Sequence, residues 1–150
     1  MVVVVVVVVD KARRLLPTAT NETPRLLIAP FAHEGSPGNW IVHWHVRNEG
    51  TRKLRLIAAI QPHARFRAPE TAIEREIAPG AETDIVLPVR FIETTGTVVE
   101  NPFLILRVAD GNQEWRVLAR VSVTAGLRGE PIAGNAVSIT THRVGAVQQD

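Results

Sequence analysis

The stretch WIVHWHVR at residues 40–47 decides the fold class of this chain. Its apolar side chains recur at every second position, so that Trp40 and Trp44 fall on one side together with two valines. His43 and His45 fall on the other side, which is mostly polar. A period of two is typical of a β-strand, whose successive side chains point to opposite faces of a sheet. The stretch therefore predicts a strand with one buried face.

A second alternating run, residues 54–60, follows the turn-forming residues Asn48-Glu49-Gly50-Thr51. Because this spacing suits a reversal between neighbouring strands, we predict that the two runs form a hairpin with a slightly long loop.

A third run, residues 85–91, contains Pro88. Proline lacks the amide donor that an inner strand needs, so this run is expected at a sheet edge or a bulge.

The second half of the chain predicts another hairpin. Residues 103–108 and 115–123 are apolar runs on either side of Asp110-Gly111-Asn112, a strong turn signal. Residues 68–78 are compatible with a strand or with a short helix that begins at Pro69. Weaker strands are expected at residues 25–31, 72–77 and 137–143.

Short strands, frequent turns and the lack of a long amphipathic helix favour an all-β domain. We predict an immunoglobulin-like antiparallel β-sandwich of about seven to nine strands, formed by residues 25–150. The side chains expected in its core are Trp40, Trp44, Leu54, Leu56, Leu87, Leu106, Trp115 and Val121.

Residues 40–91 resemble bacterial immunoglobulin-like modules, including the cell-adhesion-related, hydin-like and pilus-chaperone types. The resemblance consists of a strand ending in Asn48-Glu49-Gly50, Phe66 followed by Pro69, and Ile77-Ala78-Pro79-Gly80 before the strand at residues 83–91. It covers about a third of the chain and implies the fold alone, because such sandwiches have many unrelated functions. The pair of basic residues that anchors subunits in the chaperones has no match here.

Residues 1–24 are predicted to be a valine-rich arm and linker. Eight valines follow Met1, too few for the roughly 20 residues of a membrane-spanning helix, and basic residues follow the run instead of preceding it as in a secretory signal. A strand of valines is apolar on both faces and is costly to leave in water. We therefore expect Val2, Val4, Val6 and Val8 to lie at a contact, by strand addition to a partner or within the chain's own domain.

Charge is distributed unevenly along the chain. Residues 10–67 carry ten Lys or Arg against four Asp or Glu, whereas residues 68–150 carry seven against eleven. A basic cluster in the first half makes weak, salt-sensitive nucleic-acid binding one hypothesis. Its members are Arg47, Arg52, Lys53, Arg55, Arg65 and Arg67.

Few residues suggest chemistry. The chain has no cysteine, which excludes a disulfide framework and a thiolate metal site. The serines lie in no nucleophile motif, so we predict neither an enzyme nor a cofactor. His43 and His45 are two apart on one strand face, where both rings could reach one metal, with His33 or His63 as further ligands. A metal site at this pair is the alternative hypothesis.

The leading hypothesis is a non-catalytic interaction or assembly module that docks through sheet faces and edges to a protein partner or to copies of itself. A fibre or shell subunit is one form of it. If residues 54–60, 103–108 and 115–123 share a sheet, their outward side chains mix arginine with apolar groups, a composition enriched at interfaces. These predicted interface residues are Arg55, Ile57, Phe103, Ile105, Arg107, Arg116, Leu118 and Arg120. The alternative is that another part of the chain covers this face.

Overall fold

A computed structural model describes residues 22–146 of the chain. These residues form an all-β sandwich of eleven strands in three antiparallel sheets. The prediction of an all-β fold is therefore confirmed. The strands are β1 (Leu26–Ser36), β2 (Asn39–Asn48), β3 (Leu54–Gln61), β4 (Ala68–Ile77), β5 (Glu82–Val89), β6 (Val98–Val99), β7 (Phe103–Asp110), β8 (Gln113–Arg120), β9 (Val123–Ala125), β10 (Pro131–Ala133) and β11 (Ser138–Ala146).

The two larger sheets contain three and five strands. The three-stranded sheet has the order β1-β2-β5, and the five-stranded sheet has the order β11-β8-β7-β3-β4. The short strands β10, β9 and β6 make a small third sheet, which is why the count exceeds the seven to nine strands predicted. None of the described residues forms a helix that could span a membrane.

The predicted hairpin of β2 and β3 is wrong, because the two strands lie in different sheets. The buried side chain of Asn48 explains how the chain crosses between them. Its amide donates to the backbone oxygens of Arg52 at 2.8 Å and Ile77 at 3.0 Å, and its oxygen accepts from the Gly50 N–H at 3.0 Å. These bonds satisfy backbone groups that have no partner strand where the chain passes from one sheet to the other. We call this connection between β2 and β3 the arch.

The second predicted hairpin is confirmed. Strands β7 and β8 pair from Phe103 with Arg120 to Asp110 with Gln113, and the turn between them places Gly111 at a φ of 62°. The segment left open between helix and strand is β4, whose pairing with β3 is interrupted by two register shifts. Pro88 lies on β5, an edge strand of its sheet, as its missing donor predicts.

The core lies between the inner faces of the two larger sheets. All eight side chains predicted to be buried are buried, because the period-two pattern correctly separated the inner from the outer face. Trp44 on β2 donates its indole N–H to the Gln61 side-chain oxygen on β3 at 2.9 Å, which links the two sheets. Phe66 and Phe91 pack edge to face with centroids 5.9 Å apart.

Candidate functional site

Exposed apolar side chains gather on the outer face of the three-stranded sheet. The alternation that buries the tryptophans of β2 turns Ile41, His43 and His45 outward. Neighbouring strands place further apolar groups beside them, with 47% of Leu27, 53% of Phe31 and 47% of Val86 exposed. We call this surface the histidine face, and it consists of Leu27, Phe31, Ile41, His43, His45 and Val86.

A bulge in β1 brings Phe31 onto the histidine face. The register between β1 and β2 shifts between Pro30 and Ala32, so Phe31 is an extra residue in its strand. Its ring meets the imidazoles of His43 and His45 edge-on, with centroid separations of 5.4 and 6.2 Å. The bulge therefore places an exposed aromatic ring over the histidine pair.

Both histidines have carboxylate partners on adjacent strands. His43 Nε2 lies 2.8 Å from Glu34 on β1. His45 lies between two acids of β5, with Nε2 2.6 Å from Glu82 and Nδ1 3.0 Å from Asp84. The hydrogen bond to Asp84 is the main cause that raises the pKa of His45, and the charge of Glu82 adds to it. Protonated His45 is thus held by acids on either side.

This arrangement bears on the metal hypothesis. The two imidazoles of His43 and His45 engage separate carboxylates, and residues 22–146 contain no group of three or more His, Cys, Asp or Glu arranged to hold a metal ion. Two histidines with edge-on packing against Phe31 are organised by hydrogen bonds and aromatic contact instead. The geometry shows two histidines that are hydrogen-bonded to carboxylates, and the metal site stays an untested hypothesis.

The residues predicted from the sequence as an interface lie together on the outer face of the other large sheet. The structure places β3, β7 and β8 side by side there, as predicted. Ile57 is buried in a small cluster with Ala58 and Ala109, so it is not an exposed apolar group. Phe103, Ile105, Leu118 and the other predicted residues of this face are half-buried, apart from Arg116, which is exposed.

Two of the four predicted arginines on this outer face, Arg55 and Arg107, form ion pairs within the domain. Arg107 donates to Glu114 at 2.9 Å and to Glu70 at 3.4 Å. Arg55 donates to Glu74 at 2.7 Å. The guanidinium of Arg120 stacks 5.7 Å from the Phe103 ring centroid, and β11 extends the edge of this sheet without covering its face. Arg55, Arg107 and Arg120 therefore make contacts within this sheet.

The basic cluster predicted for nucleic-acid binding is split and mostly paired. Five of its six members form salt bridges: Arg47 with Glu49 and Glu82, Arg52 with Asp110, Lys53 with Glu76, Arg55 with Glu74, and Arg65 with Glu93. Arg52 precedes β3, whereas Arg65 and Arg67 follow it, so they lie near opposite ends of this strand. The members do not form one continuous basic surface of the kind that tracks a phosphate backbone.

Sequence reasoning selected His43 and His45 as a candidate pair but missed the exposed apolar side chains that lie beside them. Their signal was present in the alternation of Val86 with Leu87 and of Leu27 with Ile28. Those runs show that one side chain in two points outward, but the pairing that brings Phe31 beside His43 depends on the bulge. Val2, Val4, Val6 and Val8 and the rest of the predicted arm up to residue 21 lie outside the described residues.

The structure and the site define a β-sandwich domain with an exposed apolar and histidine-bearing face. The chain matches no protein-family model, no curated protein and no solved structure. Its function must therefore be inferred from its own residues.

Proposed function

We propose that this chain is a non-catalytic immunoglobulin-like module that docks to another protein chain, either a different partner or a second copy, through the histidine face. The observation that carries the proposal is the grouping of four exposed apolar side chains on one sheet face: Leu27, Phe31, Ile41 and Val86. Contiguous exposed apolar groups on a rigid surface mark contacts more often than single ones do.

The strand order supports the immunoglobulin-like assignment. In constant-type immunoglobulin domains the first, second, fourth and fifth strands form one sheet, and the third, sixth and seventh form the other. Here β1-β2-β5 form one sheet and β8-β7-β3 lie in the other. The fourth strand, β4, departs from that type and lies beside β3, in the sheet to which variable-type domains add strands. The strand order supports the fold assignment alone, whereas the docking proposal depends on the exposed side chains of the histidine face.

The composition of the histidine face fits a protein partner. Phe31, 53% exposed, offers an aromatic anchor of the kind that dominates binding energy. Charged groups of both signs lie among the apolar ones, with Arg47 opposite Leu27, Glu34 opposite Ile41 and Asp84 opposite His45. Aromatic and apolar groups mixed with charged ones are compatible with a protein interface. The face is also built on strands, which hold its side chains in fixed positions.

The test compares charge substitutions of apolar groups on and off this face. Val86→Glu places a carboxylate on this face opposite His43, and Leu127→Glu is the matched control because Leu127 is 91% exposed and lies on a loop outside this face. We expect Val86→Glu to release the partner that co-purifies with the native chain, or to dissociate the native oligomer, while Leu127→Glu retains it. Equal retention by both variants refutes docking through the histidine face.

A further inference from the structure

An open groove of about 560 Å³ adjoins the histidine face at the start of β2. Its apolar wall includes Ile41, Pro69 and Pro88, and two arginines, Arg67 and Arg90, line it as well. We call it the arginine groove. Ile41 belongs to both surfaces, so the groove and the histidine face are continuous.

Arg67 and Arg90 are directly opposite each other across the edges of the two sheets. Arg67 N donates to Arg90 O at 3.1 Å, and Arg90 N donates to Arg67 O at 2.7 Å. Residues paired in this way project their side chains to the same side of the ladder, where two like charges disfavour each other. Within residues 22–146 neither guanidinium forms a salt bridge, although most arginines nearby do. Both guanidinium groups therefore lack an acidic partner among the residues that the structure describes.

Trp40 also lines the groove, but its side chain is 1% exposed and belongs to the core. The side-chain donors that line the groove are therefore the guanidinium groups of Arg67 and Arg90. Apolar walls with a few convergent donors, in a volume of this size, are typical of a binding site.

The edge of the sheet is open at this place. Strand β5 pairs with β2 on one side, and no other strand of the described residues pairs with it. The Arg67–Arg90 bridge lies just past its end, and the Arg75 side chain donates to the Asp84 backbone oxygen at 2.8 Å. Because Pro88 offers no backbone N–H to an added strand, an extended segment can lie beside the end of β5 through side-chain contacts with the apolar wall.

We infer that the arginine groove binds an extended segment of a protein partner in which apolar side chains alternate with carboxylates. The apolar side chains contact Ile41, Pro69 and Pro88, and the carboxylates accept charge-assisted hydrogen bonds from Arg67 and Arg90. The inference rests on the proposed function, since it names the kind of segment that a docked partner inserts. A nucleic-acid strand fits less well, because Trp40 is buried and offers no exposed ring for base stacking.

The test measures binding of fluorescein-labelled hexapeptides to the full chain by polarisation. Alternating Val-Glu is the probe, and alternating Val-Lys, alternating Val-Gln and hexaglutamate separate charge from apolar contact. We expect saturable binding of Val-Glu alone that weakens with added salt. The double variant Arg67→Gln with Arg90→Gln is expected to lose roughly tenfold in affinity, the sum of two partly exposed ion pairs.

The matched control is Arg25→Gln with Arg116→Gln, which removes the same charge from exposed positions outside the groove. Its affinity for Val-Glu is expected to stay within twofold of the native value, within the variation of a surface substitution. Equal binding of Val-Glu and Val-Gln, equal loss in both double variants, or tighter binding of a single-stranded oligothymidylate overturns the inference.

The two proposals fail separately. If Val86→Glu releases the partner but no hexapeptide binds, the histidine face stands and the arginine groove is refuted. If Val-Glu binds through Arg67 and Arg90 but Val86→Glu leaves partner binding unchanged, the groove stands and docking through the histidine face is refuted.

Discussion

Asp110, at the end of β7, is 4% exposed and accepts two hydrogen bonds from the Arg52 Nε, at 3.1 and 2.9 Å, and one from Nη2 at 2.9 Å. This pair ties the arch between β2 and β3 to the β7–β8 turn. The hydrogen bonds that Arg52 donates to Asp110 raise the pKa of Arg52. The contact fixes the end of the sandwich where the chain changes sheets.

Removing the charge of Asp110 is expected to destabilise the domain. Asp110→Asn leaves the Arg52 guanidinium without its anion and a buried amide with poorer partners, at about 1–3 kcal/mol. The matched control is Glu74→Gln, which removes an acid from the exposed pair with Arg55 and costs about 0–1 kcal/mol. Urea unfolding of both variants measures the difference. Equal unfolding midpoints contradict a structural role for the Asp110 contact.

The buried hydrogen bond between Trp44 and Gln61 provides a second test. Gln61→Leu leaves the Trp44 indole N–H without an acceptor in the core and removes the bond from Gln61 to the Phe66 oxygen. We expect a loss of about 1–3 kcal/mol in the free energy of unfolding, with the sheets still formed. Chemical denaturation followed by tryptophan fluorescence measures it. A variant as stable as the native chain shows that this bond does not hold the sheets together.

His45 makes stability depend on pH near neutrality. Its pKa is raised in the folded chain by Asp84 and Glu82, so folding favours the protonated ring. The stabilisation is complete below the unfolded pKa of about 6.5 and is lost as pH rises through the higher folded pKa. The groups facing His45 are Asp84, Glu82 and the Phe31 ring.

Thermal unfolding at a series of pH values measures this effect. The native chain is expected to lose more stability between mildly acidic and mildly alkaline pH than His45→Gln does, and added salt reduces the difference because the site is partly exposed. His142→Gln is the matched control, since His142 is exposed on β11. A native chain and His45→Gln with the same pH profile would contradict the coupling.

The purified chain is expected to contain no stoichiometric transition metal. His43 and His45 engage separate carboxylates, and their imidazoles pack against Phe31. Elemental analysis of the full chain measures this directly. One equivalent of zinc, copper or nickel that is lost on His43→Ala would establish the metal site that the histidine spacing suggests.

Much of the fold could be predicted from the sequence because alternation reports burial directly. Trp40 and Trp44 were assigned to the core from their spacing alone, and both are buried. The partners of a strand are not encoded in this way. The turn at Asn48-Glu49-Gly50 suits a hairpin and an arch equally. One of the hydrogen bonds that favour the arch is donated by Asn48 to the backbone oxygen of Ile77, 29 positions further on.

The candidate site was less predictable for the same reason. Phe31, His43 and Val86 come from three strands, and only the sheet order and the bulge at Phe31 bring them together. Sequence reasoning selected instead the outer face of β3, β7 and β8, here called the arginine-rich face, because the sequence does not show that Glu70, Glu74 and Glu114 pair with Arg55 and Arg107.

Photo-crosslinking in the native cell tests the central claim most directly. A photoreactive amino acid is placed at Val86 on the histidine face, at Leu118 on the arginine-rich face, and at Leu127 as a control, and the adducts are identified by mass. The proposed function predicts one defined protein adduct at Val86 and none at Leu127. A defined adduct at Leu118 with none at Val86 would contradict docking through the histidine face.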